Sequence, residues 1–362
     1  MHPSIHLKPE WVKIIRNAVP AAERAGMLQP EQLKLIHEQG WFKFLVPQAY
    51  SGLQLPLPDM VRLEESLAWA NGSVGWVVTL CSGAGWFGGF LSPQIAPGIF
   101  ADPDLCLAGS GASTGTATIT NNGYIINGSW KYASGVHHAT HITANCIIMH
   151  GDDTALNEDG SPLVLPFIFD RKDVSLLSAW KFIGMMGTGS DAYEINNLFV
   201  EKNRCFKIDP EYAVVNAPLY QYPFLQLAEA TLATNISGLA VHFTDLCASI
   251  FEEKVQGEKL NSAQKAVIMQ TLQSLTQKLN DVRAEFYNAV DASWQESLVG
   301  RSSYLQQVSK ISRKLAKTAR ECVDELYPYC GLQAANPDAE INQVWRDLHT
   351  ASQHSLLTFN LD

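Results

Sequence analysis

The chain has 362 residues, 46% of them hydrophobic and 17% charged, with a formal net charge of −10. It is too long for one ordinary core, so two or three packed regions are expected, and an acidic chain with no sizeable Lys/Arg cluster is a poor binder of nucleic-acid backbones. Seven cysteines at 81, 106, 146, 205, 247, 322 and 330 form no CxxC pair. The first residues, MHPSIHLKPEW, lack signal or transit character, and no apolar run reaches the ~18 residues of a membrane span. These features describe a reduced, cytoplasmic, soluble protein with neither nucleic acid nor membrane as partner.

Three regimes succeed one another along the chain. In the first part, Pro30 to Gln39 opens with proline and stops at Gly40, and Pro58-Asp59 open the run MVRLEESLAWA, so short helices are expected. From about Leu105, β-branched runs (TATIT, YIING, HITANCII, LVLPFIF) are separated by turn signals at Asn121-Asn122-Gly123, Asn127-Gly128 and Asp159-Gly160, which favours an antiparallel sheet. After about Tyr212 the turn residues thin out. Ile268, Leu272, Leu275, Leu279, Val282, Phe286 and Ala289 alternate steps of four and three, a packing seam on one long helix. Segments from Tyr304 to Leu332 and from Ala339 to Leu357 return beside it as a bundle. The expected fold is therefore α+β: an N-terminal helical domain (1–104), a central antiparallel β-sandwich or barrel-like domain (105–211) and a C-terminal four-helix bundle (212–362).

Two patterns invite chemistry that their context does not support. Gly83-Ala84-Gly85-Trp86-Phe87-Gly88 satisfies GxGxxG, with Asp102 and Asp104 downstream, but Pro93, Pro97 and Pro103 interrupt any helix after it and no βαβ alternation continues. Close helix packing through small residues is the alternative. His137, His138 and His141 suggest a metal, yet the segment after WKYASG reads as extended, which separates His137 from His141 by ~13 Å and turns His138 to the other face. No metal site is assigned. There is no P-loop, no HExxH and no GxSxG elbow.

Gly128 to Ala139 (GSWKYASGVHHA), Trp180 to Val200 (WKFIGMMGTGSDAYEINNLFV) and Trp345 to His354 (WRDLHTASQH), in this order, resemble the acyl-CoA dehydrogenase superfamily. Within it they look most like the flavin-dependent two-component monooxygenases, the branch of hydroxyphenylacetate hydroxylase oxygenase and dibenzothiophene monooxygenase. The resemblance covers nearly the whole chain. It implies a flavin, FAD or FMN, used reduced, supplied by a separate reductase and forming a C4a-oxygen adduct that oxidises a small aromatic or heteroatom-bearing compound. It also implies a homotetramer.

The resemblance further implies site residues. Ser110 and Tyr132-Ala133-Ser134 match positions along one edge of the isoalloxazine ring, where fixed donors tune the redox chemistry of the cofactor. Gly115 and Thr116 match a Gly-Ser step of the flavin-binding strand. Gly187-Thr188-Gly189-Ser190 resembles a turn that shapes the flavin and substrate cavity, and Trp86, Phe87 and His138 fall in the substrate pocket. Ser134 and His354 are the catalytic candidates, the imidazole as acid or base near neutral pH. Arg346 and Asp347 match an Arg-Asp step, read as an internal ion pair.

The glutamate found about twenty residues after this step in straight-chain dehydrogenases has no counterpart before Asp362, and the alternative base position falls near Ala228, with Glu229 turned away by roughly 100°. An acyl-CoA dehydrogenase working through Glu229, and a non-catalytic binding protein, are the alternatives. Thr79 to Phe90 contains no histidine, so a second imidazole near the oxygen site is not expected.

Overall fold

The computed structural model describes residues 1–359. Six helices, α1 (Pro9–Asn17), α2 (Val19–Ala25), α3 (Pro30–Glu38), α4 (Leu57–Ala70), α5 (Gly72–Gly85) and α6 (Ala96–Phe100), precede the first strand. Their ends obey local chemistry. α3 opens on Pro30, whose missing N–H would be unpaired there anyway, and Gln32 reaches back to accept from the Gln29 N–H at 2.9 Å. α5 is capped by Asn71, whose side chain accepts from the Val74 N–H at 3.1 Å. The GxGxxG run falls at the end of α5 and in the 3-10 turn Trp86–Gly89, with no strand before it.

Seven strands come next: β1 (Leu107–Ile119), β2 (Gly123–Ala133), β3 (His141–His150), β4 (Asp153–Thr154), β5 (Val164–Asp170), β6 (Ser175–Leu177) and β7 (Asp191–Glu201). They lie in the order β4-β3-β1-β2-β7-β6, with β5 also on β3. Most pairings are antiparallel, but β1 and β3 run parallel, Leu107 opposite His141, so the sheet is mixed and not purely antiparallel as the hairpin spacing suggested. The cause lies at the end of β2, where the chain turns through Gly135 at φ +75° and re-enters on the far side of β1. Asn127-Gly128 is no turn either. It lies inside β2 at a register shift against β7, with Asn127 Oδ1 accepting from the Asn197 N–H at 2.8 Å.

The remaining helices are α7 (Pro218–Gln221), α8 (Phe224–Gln256), α9 (Ser262–Ser297), α10 (Leu305–Cys330), α11 (Glu340–Ala351) and α12 (Ser355–Thr358). Every residue of the α9 seam from Ile268 to Ala289 is buried. α8 is buried on nearly all sides because α4, α5, α9, α10 and α11 surround it. Its Gly238 admits α4 so closely that a β-carbon there would lie 2.3 Å from the Glu65 carbonyl. A buried ion pair ties α9 to α4: Arg283 of α9 donates to both carboxylate oxygens of Glu65 at 2.8 Å.

Buried apolar residues form two clusters. The N-terminal and C-terminal helices share the larger one, in which Leu67, Val78, Leu239 and Leu315 belong together. The sheet has its own, around Trp130, Ile142, Phe169 and Tyr193. α5 packs on β1 and on α8, and the space between these three elements holds the candidate site. Among the described residues no helix is long and apolar enough to cross a membrane.

Candidate active site

A cavity of about 250 Å³ opens between α5, strands β1 and β3, the start of α8, and the His354–Leu356 segment. Helical spacing explains its walls. Thr79, Gly83 and Phe87 stand at steps of four along α5 and the turn after it, and Leu227, Ala228 and Thr231 share one face of α8. Ser110 and Asn145 come from the two parallel strands. Gly83 and Gly111 add open space, since a β-carbon at either would meet nothing within 4 Å. No Lys, Arg, Asp or Glu lines it among the described residues.

Beside this cavity a chain of hydroxyls is fixed in one direction. Trp76 Nε1 on α5 donates to Ser134 Oγ at 3.1 Å, Ser134 and Ser190 are 2.8 Å apart, Ser190 and Thr188 2.6 Å, and Thr188 donates to the Met185 carbonyl at 2.7 Å. Each hydroxyl donates once and accepts once, so Ser134 keeps one lone pair while its proton points toward Ser190. The Gly135 N–H also donates to the Thr188 carbonyl at 2.8 Å, tying the end of β2 to the 185–190 turn. Trp76 serves a second neighbour, for its ring lies 6.2 Å from that of His354.

His354 is half-buried at the N-terminus of α12, where its Nδ1 accepts from the Leu356 N–H at 3.3 Å. That bond places the proton of a neutral imidazole on Nε2. Burial lowers its pKa, and an imidazolium would also oppose the Leu356 N–H, so the ring stays neutral near pH 7. A neutral imidazole with Nε2–H can donate to an oxygen beside the cavity and carry a proton to it.

The structure brings together only some of the residues singled out from sequence. Ser110, Phe87 and His354 line the cavity, while Ser134 stands behind it, bonded to Trp76, the ring neighbour of His354; Ser110 Oγ donates to the Lys131 carbonyl at 2.9 Å and so joins β1 to β2 next to Tyr132. Tyr132, next to Ala133, is 37% exposed and packs perpendicular to Trp180 and Phe182. Thr188 is fully buried and reaches Ser134 only through Ser190, and Gly187 packs on Ser73 and Ala22. Gly115 lies under the Trp130 ring and Thr116 opposite Asn127, on the order of 15 Å along β1 from Ser110.

Others turn away. Trp86 is fully buried and donates to the Leu219 carbonyl at 2.9 Å, one position round the helix from Phe87 and outside the wall. His138 packs near His137 and His37, and burial lowers its pKa to about 4. It sits in a turn, not an extended segment, because Gly135 reverses the chain. His137 pairs with Asp191 at 2.9 Å and His141 lies 3.5 Å from Asp170, so the three imidazoles diverge. Sequence reasoning missed Trp76. Its signal was helical spacing: it precedes Thr79, Leu80 and Gly83 on the face of α5 that lines the cavity.

Arg346 and Asp347 do not pair with each other, because adjacent helical residues point about 100° apart. Arg346 bonds Glu23 at 3.1 Å, whereas Asp347 Oδ1 accepts from the Met185 N–H and Oδ2 from Gln343 Nε2 at 3.1 Å. Asp347 thus clasps α11 to the 185–190 turn. Complete burial pushes its pKa up to about 7 despite the Met185 bond. Because the folded state holds this proton more tightly than the unfolded state, unfolding releases it between about pH 4 and pH 7, and stability falls as pH rises through that window. Denaturant midpoints should show a slope approaching about 1.4 kcal/mol per pH unit there, largely absent in Asp347→Asn.

Residues 230–359 match the family model described as Acyl-CoA dehydrogenase, C-terminal domain. The chain is 25% identical to the flavin-dependent monooxygenase, oxygenase subunit HsaA, of Mycobacterium tuberculosis, across 94% of this chain and 88% of that protein. It is 24% identical to the indole-3-acetate monooxygenase of Acinetobacter baumannii, across 90% and 82%. Among solved structures, the 3-HSA hydroxylase from Rhodococcus sp. RHA1 superposes with a TM-score of 0.86 at 20% identity, covering 96% of this chain and 90% of that one. XiaF from Streptomyces sp., in complex with FADH2 and glycerol, gives 0.85 at 19% identity, covering 96% and 89%. The chain therefore has the acyl-CoA dehydrogenase fold. These relatives and structural neighbours are a flavin-dependent monooxygenase, an indole-3-acetate monooxygenase, a 3-HSA hydroxylase and an FADH2 complex.

Proposed function

We propose that this chain is the oxygenase component of a two-component flavin-dependent monooxygenase, which takes reduced FMN or FAD from a separate reductase and oxidises a small, neutral aromatic compound. The observation that carries the reading is the uncharged cavity of about 250 Å³ bounded by Ser110 and by His354, whose neighbour Trp76 holds Ser134. That volume is below the ~300–1,000 Å³ of drug-sized pockets and suits one or two fused rings. The relatives named as monooxygenases and the neighbour bound to FADH2 support it.

The residues present fit a flavin. Ser110 and Tyr132 to Ser134 offer backbone groups, a hydroxyl with a spare lone pair and a part-exposed tyrosine ring along one edge of two joined strands. When bound, the reduced ring supplies the reaction with dioxygen. Ser134 orients the ring through its hydroxyl, whose direction Trp76, Ser190 and Thr188 fix in advance. His354 delivers a proton from Nε2 and takes one back, and the apolar wall from Phe87 to Leu232 keeps water from the reacting atoms.

Anaerobic titration with reduced FMN and reduced FAD, monitored by absorbance and calorimetry, tests the reading. Saturable binding of one of them is expected and decides between the two; no binding of either overturns it. Ser134→Ala should weaken the retained flavin and lower stability by about 1–3 kcal/mol, because the Trp76 N–H and the Ser190 hydroxyl lose a buried partner. Ser190→Ala, which cuts the chain one step further away, should have the smaller effect on flavin.

A further inference from the structure

Opposite Asn145 the sheet is interrupted. Ser110 of β1 pairs with Ala144 of β3, and Gly115 with Cys146, so the β1 residues from 111 to 114 stand against Asn145 alone. Such a bulge leaves backbone groups without ladder partners and re-aims the side chain that faces it. Asn145 meets one of those groups, since its Nδ2 donates to the Gly111 carbonyl at 2.9 Å. Its own backbone is held as well: Trp130 Nε1 donates to the Asn145 carbonyl at 2.9 Å. Both Asn145 and Gly111 lie on the cavity wall, where a β-carbon at Gly111 would meet nothing within 4 Å. A rigid carboxamide therefore stands beside open space.

The Gly111 bond also settles how the amide is turned. A carbonyl only accepts, so the nitrogen of the carboxamide and not its oxygen faces Gly111. One Nδ2 proton is spent there, while the other and Oδ1 have no partner among the described residues. Bracing the bulge accounts for that one proton only. His354 stands on the helical wall and offers an N–H, whereas Asn145 on the sheet wall both accepts and donates. A polar substituent that enters the cavity gives up water which Phe87 and Leu227 cannot replace, so it needs such a partner.

We propose that Asn145 is a specificity-determining residue, whose Oδ1 accepts from a hydroxyl or N–H substituent of a neutral aromatic substrate and whose free Nδ2–H donates to a substituent oxygen. The sheet then holds the polar end of the substrate while His354 works from the helices. The inference rests on the cavity being the substrate site, as under the proposed function, but its main test needs neither flavin nor oxygen.

Equilibrium dialysis of the full chain against 2-naphthol and 2-methylnaphthalene, which carry OH or CH3 on one two-ring frame, reads the contact. In the wild type, naphthol should be favoured by about tenfold or more beyond the ratio of the two partition coefficients from water into cyclohexane, where no hydrogen bond forms. Asn145→Leu, close in size, should cut that preference by about tenfold through weaker naphthol binding, and His354→Phe should leave it within about threefold. A wild-type ratio equal to the cyclohexane ratio, a ratio unchanged in Asn145→Leu, a preference lost in His354→Phe, or binding of neither ligand overturns the proposal. The wild-type and His354→Phe measurements decide even where Asn145→Leu does not fold. Affinity for reduced flavin should be the same in Asn145→Leu as in the wild type. Its loss with the naphthol preference intact would assign the amide to the cofactor and also overturn the proposal. If the naphthol preference behaves as expected while the wild type binds no reduced flavin, the proposed function fails and the recognition contact stands.

Discussion

Alanine in place of His354 is expected to lower the yield of oxygenated product by about 10²–10⁴, the worth of a positioned acid or base, while reduced-flavin binding changes little. The ring lines the cavity, Nδ1 is occupied by the Leu356 N–H, and Nε2 is the atom left to move a proton. Gln, whose Nε2–H can donate a hydrogen bond but cannot give up its proton, should stay close to Ala if proton transfer is the role of the ring. The lowered pKa sets the pH profile. The neutral ring is present above a pKa that lies below the ordinary histidine value, so product yield should hold through neutral pH and drop as pH falls below it. Product per flavin oxidised is the quantity to measure. Unchanged coupling in His354→Ala would remove the imidazole from the chemistry.

The second large effect concerns Glu229, and it falls on stability. Glu229 is fully buried, bonded to Arg313 Nη1 at 2.6 Å and to the Ser309 hydroxyl, on the side of α8 away from the cavity, where Ala228 lies instead. Glu229→Ala takes a buried carboxylate away from both Arg313 and Ser309 and should cost about 3–5 kcal/mol in denaturant unfolding. Product formation per folded molecule should stay close to wild type. A catalytic base on an acyl-CoA would give the reverse pattern, intact stability with lost flavin reduction. In the structure Glu229 bonds Arg313 and Ser309, while its neighbour Ala228 lines the cavity, the helical offset of one residue turning the two side chains apart.

Much of this architecture was legible in the sequence because it is periodic or local. Steps of four and three mark the α9 seam, and backbone chemistry marks the caps at Pro30 and Gly40. Ser134 and His354 were singled out through motif order, since neither residue type is distinctive alone. What escaped is non-local or degenerate. Trp76 meets Ser134 across 58 residues, so its helical spacing could place it on the cavity face of α5 but could not name that partner. The parallel pairing of β1 with β3 depends on where the chain goes after Gly135, while Asn127-Gly128 reads equally as a turn or as the bulge it forms. Trp86 and Phe87 differ by one helical step, enough to put one in the core and the other on the wall. Asp347 was assigned to its neighbour Arg346, although its partners, Met185 and Gln343, come from a distant turn and from one helical turn back.

Dioxygen mixed in a stopped-flow instrument with the anaerobic protein carrying reduced flavin tests oxygen chemistry at this site most directly. The wild type should pass through a transient absorbance distinct from both reduced and oxidised flavin, and Ser134→Ala should shorten its lifetime by about tenfold or more. Oxidised flavin appearing in a single phase at the rate of free flavin, with wild type and Ser134→Ala alike, would contradict it.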